Sequence, residues 1–225
     1  MNYKQGELFP TIKPPTDEYL IVTALATELP EALPQNILFT GVGKVNATHI
    51  LTRYLVNNPQ IKTVINYGTC GGVYGVNKGE LVKVTTFVQG DMYCGNLTKG
   101  KGITFGDDVA ISGTINYGTD GLICRTQDQF VDDLETLDKL QYILEGNKFN
   151  IVDMEAYALA KVCAYMNVDF VCYKYVSDDA NEEASGEWEE NVSKGEPLFY
   201  NILEKEYNFE RLWSISKGNN YRAWV

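Results

Sequence analysis

The sequence predicts an α/β protein in which helices wrap a central sheet. Short β-rich runs alternate with segments of helical periodicity, and glycine-rich turns follow several of the runs. Of the 225 residues, 44% are hydrophobic, which is enough for one full core. Because no repeat or low-complexity linker divides the sequence, we predict a single domain over residues 1–225.

Six runs of β-forming residues predict the strands of this sheet. They are residues 19–24, 36–40, 62–67, 81–89, 121–126 and 169–176. The polar segment 95–120 is rich in glycine and threonine, which favours loops or an excursion of extended chain.

Three segments predict helices. In residues 44–57, Val45, Ile50, Tyr54 and Leu55 recur at helical spacing. Residues 151–167 carry small and apolar side chains on most faces, which predicts a central helix that opens with the motif VDMEA. Residues 187–212 have the pattern of an amphipathic closing helix.

Charge and cysteine content restrict the function classes. A formal net charge of −11 leaves no basic stripe for a phosphate backbone, which argues against nucleic-acid binding. The five cysteines are an odd number without CxxC spacing, which is typical of reduced thiols in an intracellular protein. The N-terminus lacks a signal-like apolar stretch, and no apolar run approaches about 18 residues. We therefore expect a cytoplasmic protein without a membrane span.

The sequence gives no indication of a cofactor or a metal ion. His49 is the only histidine and falls inside a helical pattern without a metal-spaced partner, so we assign it to packing. In Gly41-Val42-Gly43-Lys44, Val45 follows where a phosphate loop needs Ser or Thr, which excludes a nucleoside triphosphate site.

Four segments follow predicted strands, where ligands bind in α/β folds: residues 24–28, 41–44, 68–72 and 177–179. Taken alone, each has a simpler interpretation. Glu28 could be a solvated acid in a first helical turn. Residues 68–72 could form a tight turn that needs positive φ, or a nest of amides near a ligand oxygen. Asp178 and Asp179 could cap a helix or form a loose cation site.

Five ordered segments together carry a specific resemblance. They are ALATE at 24–28, TGVGKVNA at 40–47, NYGTCGG at 66–72, VDMEAYALAKVC at 152–163 and FVCYKYVSDDA at 170–180. The chain resembles the nucleoside phosphorylase and nucleosidase superfamily from about Leu20 to Leu203, and most closely the 5′-methylthioadenosine/S-adenosylhomocysteine nucleosidases. This resemblance implies a three-layer α/β/α fold with a mixed, partly barrel-like sheet, a homodimer, and hydrolysis of a purine nucleoside without a cofactor.

The resemblance also implies catalytic roles. Glu28 matches the glutamate that activates water, and Thr69 and Lys174 match the serine and arginine positions that help to hold that water. Asp178 matches the acid that protonates purine N7, with Ser177 as an orienting hydroxyl. Lys174 departs from the usual arginine and cannot make the same planar fork.

Further residues match substrate-binding positions. Glu155 matches the glutamate that binds the ribose hydroxyls, and Met154 the methionine beneath the sugar. Phe130 falls where an aromatic ring stacks on the base, and Val131 where backbone groups read its edge. Four residues fall near positions that line the 5′ pocket: Leu25, Val42, Met92 and Trp188. Trp188 could equally be a buried anchor of the closing helix, and the divergent segment 94–119 leaves the 5′ substituent open.

The residue types fit cleavage of an N-glycosidic bond, which needs one carboxyl as an acid and another as a base. We expect Phe130 and Met154 to shield Asp178 and favour its protonated form, and Lys174 to favour ionised Glu28. Asp153 precedes Met154 where the family often has Glu.

Two alternatives compete with hydrolysis. Phosphorolysis needs fixed cations around phosphate, but the chain has only Arg53, Arg125, Arg211 and Arg222, and we place Asn66 at the strand end where purine phosphorylases have an arginine. A non-catalytic nucleoside-binding or storage homologue is the second alternative. It would have little use for the separated acid and base of Glu28 and Asp178.

Overall fold

A computed structural model describes residues 8–30, 37–97, 102–107, 113–133 and 149–215. The strands of this part of the chain are β1 Leu8–Lys13, β2 Tyr19–Thr23, β3 Ile37–Phe39, β4 Thr63–Gly72, β5 Leu81–Gln89, β6 Thr114–Asn116, β7 Leu122–Thr126, β8 Ile151–Asp153, β9 Asp169–Asp178 and β10 Glu210–Ile215. Its α-helices are α1 Lys44–Asn57, α2 Ala156–Met166, α3 Ala184–Asn191 and α4 Glu196–Tyr207.

A closed five-stranded barrel lies at the centre of the fold. Its strands follow the order β4, β8, β7, β5 and β9, and β9 pairs back to β4. Strands β2 and β3 extend the sheet from β4, and β6 extends it from β5. The sheet is mixed, because β4 pairs in parallel with β9 whereas β5 pairs with β9 antiparallel. The predicted fold class, α/β with a mixed and partly barrel-like sheet, is confirmed.

Strand alternation divides the core between the two faces of the sheet. Leu20, Val22 and Val64 point to one face and pack with α1 and α2. Ile21 and Ile65 point to the other face and pack with α4. Helices therefore cover the sheet on both sides, as in other layered α/β folds.

The predicted helix over residues 151–167 begins later than its composition suggests. Ile151 and Val152 form β8, which pairs with β4 and β7 and closes the barrel. The helix begins at Ala156, and the side chain of Asp153 accepts hydrogen bonds from the amides of Glu155 and Ala156. Barrel closure takes the β-branched residues into a strand, and the acid then caps the helix.

The prediction of a single closing helix over residues 187–212 was also wrong. The chain forms α3, turns at Gly195, starts α4 with Pro197 in its first turn, and ends α4 at Asn208 in a left-handed conformation. Strand β10 follows and pairs antiparallel with β1. Neither strand of this ribbon was predicted, because each needs a partner from the opposite end of the chain.

Residues 68–72 do not form the expected turn. They continue β4 in extended conformation, and none of their glycines has positive φ. Small size is the reason for glycine here, since a β-carbon on Gly71 would lie 2.9 Å from the Oδ1 of Asp178. His49, predicted to pack, is exposed on α1, whose core face consists of Ala47, Leu51 and Leu55. None of the described helices is long and apolar enough to cross a membrane.

Candidate active site

One cavity of about 360 Å³ lies at the carboxyl ends of β2, β4 and β9, a size that suits a small ligand. Eleven of the thirteen predicted site residues line it: Leu25, Glu28, Val42, Thr69, Phe130, Val131, Met154, Glu155, Ser177, Asp178 and Trp188. Lys174 and Met92 do not. The two candidate catalytic acids thus share one cavity.

Glu28 lies in the turn after β2 and is buried rather than solvated. Its Oε2 accepts hydrogen bonds from Thr23 Oγ1 at 2.6 Å and from the amides of Ala24 and Leu25 at 3.1 and 3.0 Å. Its Oε1 accepts from the amide and hydroxyl of Thr69 at 2.7 and 3.0 Å. Five donors are thus aimed at one carboxylate.

Asp178 ends β9, and a register shift opposite Gly71 sets its position. Its carboxyl accepts from Ser177 Oγ at 2.8 Å and from the amide of Ala180 at 3.0 Å. Burial, reinforced by the negative charges of Glu187 and Asp179, raises the pKa of Asp178 to about 6. Helix α3 begins only at Ala184, so Asp178 does not cap it.

Glu155 joins the starts of two helices at the cavity wall. Its Oε1 accepts from the amide of Gly43, at the start of α1, at 2.8 Å. A carboxylate offers about four acceptor sites, so capacity remains for ligand hydroxyls. Burial, and then the charge of Asp153, raise the pKa of Glu155 above its ordinary value.

Lys174 forms an ion pair with Asp153, a partner that the sequence reasoning missed. Nζ lies 2.8 Å from Asp153 Oδ2, and both side chains are almost fully buried. Burial opposes the charge of each group, but their mutual attraction lowers the pKa of Asp153 and raises that of Lys174. No local signal pairs the two residues, since Asp153 lies on β8 and Lys174 on β9, and these strands are not neighbours in the sheet.

Lys174 and Glu28 are nevertheless neighbours, and the expectation that Lys174 acts on Glu28 and its water stays a prediction. A β-carbon on Gly68 would lie 3.1 Å from Lys174 Nζ and 3.3 Å from Glu28 Oε1. The absence of a side chain at Gly68 keeps open the space between the ammonium and the carboxylate.

The remaining cavity wall is largely apolar. Phe130 is partly exposed at the mouth, whereas Val131 is buried against Val152 and Ala180. Met92 lies away from this wall, where its carbonyl accepts from the amide of Gly102. Gln129 also lines the cavity and was not predicted, since no motif distinguished it from its neighbours.

Arginine is absent from the cavity lining among the described residues. Arg53 is exposed on α1, Arg125 is buried with its guanidinium on the carbonyl of Gly90, and Arg211 pairs with Glu204. Arg222 lies outside the described residues.

The position given to Asn66 was wrong. Asn66 lies in the middle of β4, and its side-chain Nδ2 donates hydrogen bonds to the carbonyls of Val22 and Tyr67. Phosphorolysis is therefore disfavoured by the absence of arginine from the described cavity lining, and not by Asn66.

The family model described as "Phosphorylase superfamily" matches residues 14–205. This chain belongs to that superfamily. It is 30% identical over 169 residues to the 5′-methylthioadenosine/S-adenosylhomocysteine nucleosidase of Haemophilus influenzae, a match that covers 68% of this chain and 72% of the relative. It is 26% identical over 178 residues to the Staphylococcus carnosus nucleosidase of the same name, covering 70% and 74%. Within the superfamily, the chain therefore belongs to the 5′-methylthioadenosine/S-adenosylhomocysteine nucleosidase family, as its motifs predicted.

Solved structures show the same fold. Streptococcus pneumoniae MTA/SAH nucleosidase in complex with 8-aminoadenine matches with a TM-score of 0.68 at 17% identity, covering 83% of this chain and 96% of that chain. A Helicobacter pylori MTAN mutant with 5′-methylthioadenosine in the active site matches with a TM-score of 0.70 at 18% identity, covering 84% of this chain and 99% of that chain. Futalosine hydrolase of Helicobacter pylori matches with a TM-score of 0.69 at 18% identity, covering 83% of this chain and 97% of that chain.

Proposed function

We propose that this family member hydrolyses the N-glycosidic bond of 5′-methylthioadenosine, S-adenosylhomocysteine or a related adenosine, with Asp178 as the acid and Glu28 as the base. The observation that carries the proposal is that the two carboxyl groups share one cavity but differ in their surroundings. Five donors surround Glu28, whereas Asp178 has a pKa raised towards the range in which it can donate a proton.

In this reaction the base leaves from one face of the sugar and water attacks from the other. Asp178 donates its proton to purine N7, and the bond between C1′ and N9 breaks to give an oxocarbenium-like ribosyl cation and the neutral base. Water attacks C1′ from the opposite face and passes a proton to Glu28. Glu155 would hold the ribose hydroxyls, Met154 would pack beneath the sugar, and Phe130 and Val131 would contact the base.

Phosphorolysis is the rival reaction on the same scaffold, and it is disfavoured because no arginine lines the cavity in the part of the chain that the structure describes. The test incubates the protein with 5′-methylthioadenosine, with and without phosphate, and identifies the sugar product. We expect free methylthioribose at the same rate in both samples. A phosphate-dependent ribose 1-phosphate derivative would reverse the assignment.

A panel of 5′-substituted adenosines, futalosine-type nucleosides, inosine and uridine, assayed by release of the free base, would identify the substrate. We expect adenosines with an apolar 5′ substituent to be cleaved fastest, since apolar side chains such as Leu25 and Val42 line the cavity. Tight binding of a nucleoside with no base release over hours would instead favour a storage homologue.

Two broader predictions accompany this function. A homodimer follows from the resemblance, and sedimentation at micromolar concentration would test it. A cytoplasmic location follows from the five cysteines, all of which are free thiols in the structure.

A further inference from the structure

The indole of Trp188 makes a polar contact that a purely apolar pocket wall would not need. From α3, Trp188 Nε1 donates a hydrogen bond to Thr69 Oγ1 at 3.0 Å. The same Thr69 oxygen lies 3.0 Å from Glu28 Oε1 and donates to it. Trp188, Thr69 and Glu28 thus form a continuous chain from a surface helix to the proposed base.

The direction of this chain follows from the donor and acceptor capacity of each group. An indole N–H can only donate, so it occupies a lone pair of the Thr69 hydroxyl. That hydroxyl has one proton, which remains available for Glu28. Without the indole, the hydroxyl could rotate and point its proton elsewhere, for example towards the attacking water.

We propose that Trp188 is a positioning residue for the water-activating carboxylate, acting through the hydroxyl of Thr69. This inference rests on the role of Glu28 in the proposed function. It goes beyond the pocket-lining role expected from the resemblance, because a ring without the N–H could line the pocket equally well.

Helix α3 is held so that the indole can reach Thr69. One residue before Trp188, Glu187 pairs with Lys78 and accepts from the amide of Asp179 at 3.2 Å. Three residues after Trp188, Asn191 Nδ2 donates to the carbonyl of Ser177 at 2.8 Å. Contacts on both sides of Trp188 therefore fix α3 against the end of β9.

A double-mutant cycle tests the proposal. Trp188→Phe keeps an aromatic ring and removes the N–H, and Thr69→Val removes the hydroxyl while keeping the shape. One neutral hydrogen bond corresponds to roughly 3- to 10-fold in rate, so we expect Trp188→Phe to lower kcat by about this factor and to change KM less than about twofold. In the Thr69→Val background, Trp188→Phe should lower kcat no further.

Thr69→Ser provides the matched control, because it retains the hydroxyl. In that background Trp188→Phe should cost the same factor in kcat as in the wild type. Thermal unfolding of every variant separates loss of folding from loss of positioning.

Equal losses in kcat for Trp188→Phe in the wild-type and Thr69→Val backgrounds would overturn the proposal, as would a change confined to KM. Both would mean that the ring only lines the pocket. Failure of the proposed function is a separate result, since the wild type would then release no base from any nucleoside.

Discussion

Glu28 and Asp178 carry the same functional group on the same cavity, yet their surroundings are opposite. Glu28 accepts five hydrogen bonds and lies near the ammonium of Lys174. Asp178 accepts two, and Glu187 and Asp179 add negative charge to its surroundings. The two buried carboxyl groups thus differ in their donors and in the charges near them, and the proposed roles of base and acid depend on this contrast.

Replacing each acid by its amide tests the contrast between Glu28 and Asp178 most directly. We expect Asp178→Asn and Glu28→Gln each to lower kcat/KM by about 10²- to 10⁴-fold, because each removes a proton-transfer step. Base release under steady-state conditions measures the loss. Glu182→Gln, on an exposed acid near the site, is the control and should retain activity. Activity within tenfold of the wild type in either variant would refute the assigned pair.

The Glu28 end also depends on the buried ion pair beside it. Asp153→Asn leaves the buried Lys174 cation without its counter-charge, so we expect the free energy of unfolding to fall by about 3–5 kcal/mol, as measured by urea denaturation. Adding Lys174→Met to this variant removes the unpaired charge and should recover part of the loss. If Asp153→Asn unfolds at the wild-type midpoint, the pair does not stabilise this end of the site.

Gly68 keeps space between Lys174 and Glu28, where we expect the attacking water. Gly68→Ala places a methyl group 3.1 Å from Lys174 Nζ and 3.3 Å from Glu28 Oε1. We expect kcat to fall on the order of 10- to 100-fold. Gly186→Ala is the matched control, because a β-carbon there meets no atom within 4 Å. Equal activity of the two variants would show that this space does not serve the reaction.

The smallest effect concerns the charge around Asp178. With a pKa of about 6, Asp178 holds its proton below that pH, so kcat/KM should fall as pH rises through 6. Glu187→Gln removes a negative charge that raises this pKa. The fall should then move to lower pH by roughly a few tenths of a unit, since exposed charges contribute little. Glu190→Gln, on the same helix, should leave the profile unchanged, and a shift to higher pH for Glu187→Gln would contradict the account.

Local patterns were sufficient for most of the predicted elements. Residues 81–89 and 44–57 were predicted with the bounds that the structure has, because each pattern is local and ends at a turn signal. The start of the helix predicted over residues 151–167 was misjudged because Ile151 and Val152, although β-branched, continue the apolar run of the helix. Only pairing with Gly71 and Gly72 of β4 decides between helix and strand.

The candidate site, like the fold, was predicted in part. Its acids could be named because they lie in the ordered motifs that carry the resemblance, and eleven of the thirteen predicted residues line one cavity. The partner of Lys174 could not be read from spacing, since Asp153 lies 21 residues away on another strand of the barrel. The contact of Trp188 with Thr69 spans 119 positions and leaves no local signal.

The fold class, the family and the candidate acids could be predicted from the sequence alone, because hydrophobic periodicity and motif order are properties of short segments of the chain. Chain pairing in three dimensions set which acid accepts five hydrogen bonds, which acid pairs with Lys174, and which ring contacts Thr69. Those properties depend on distances between strands that meet only when the barrel closes.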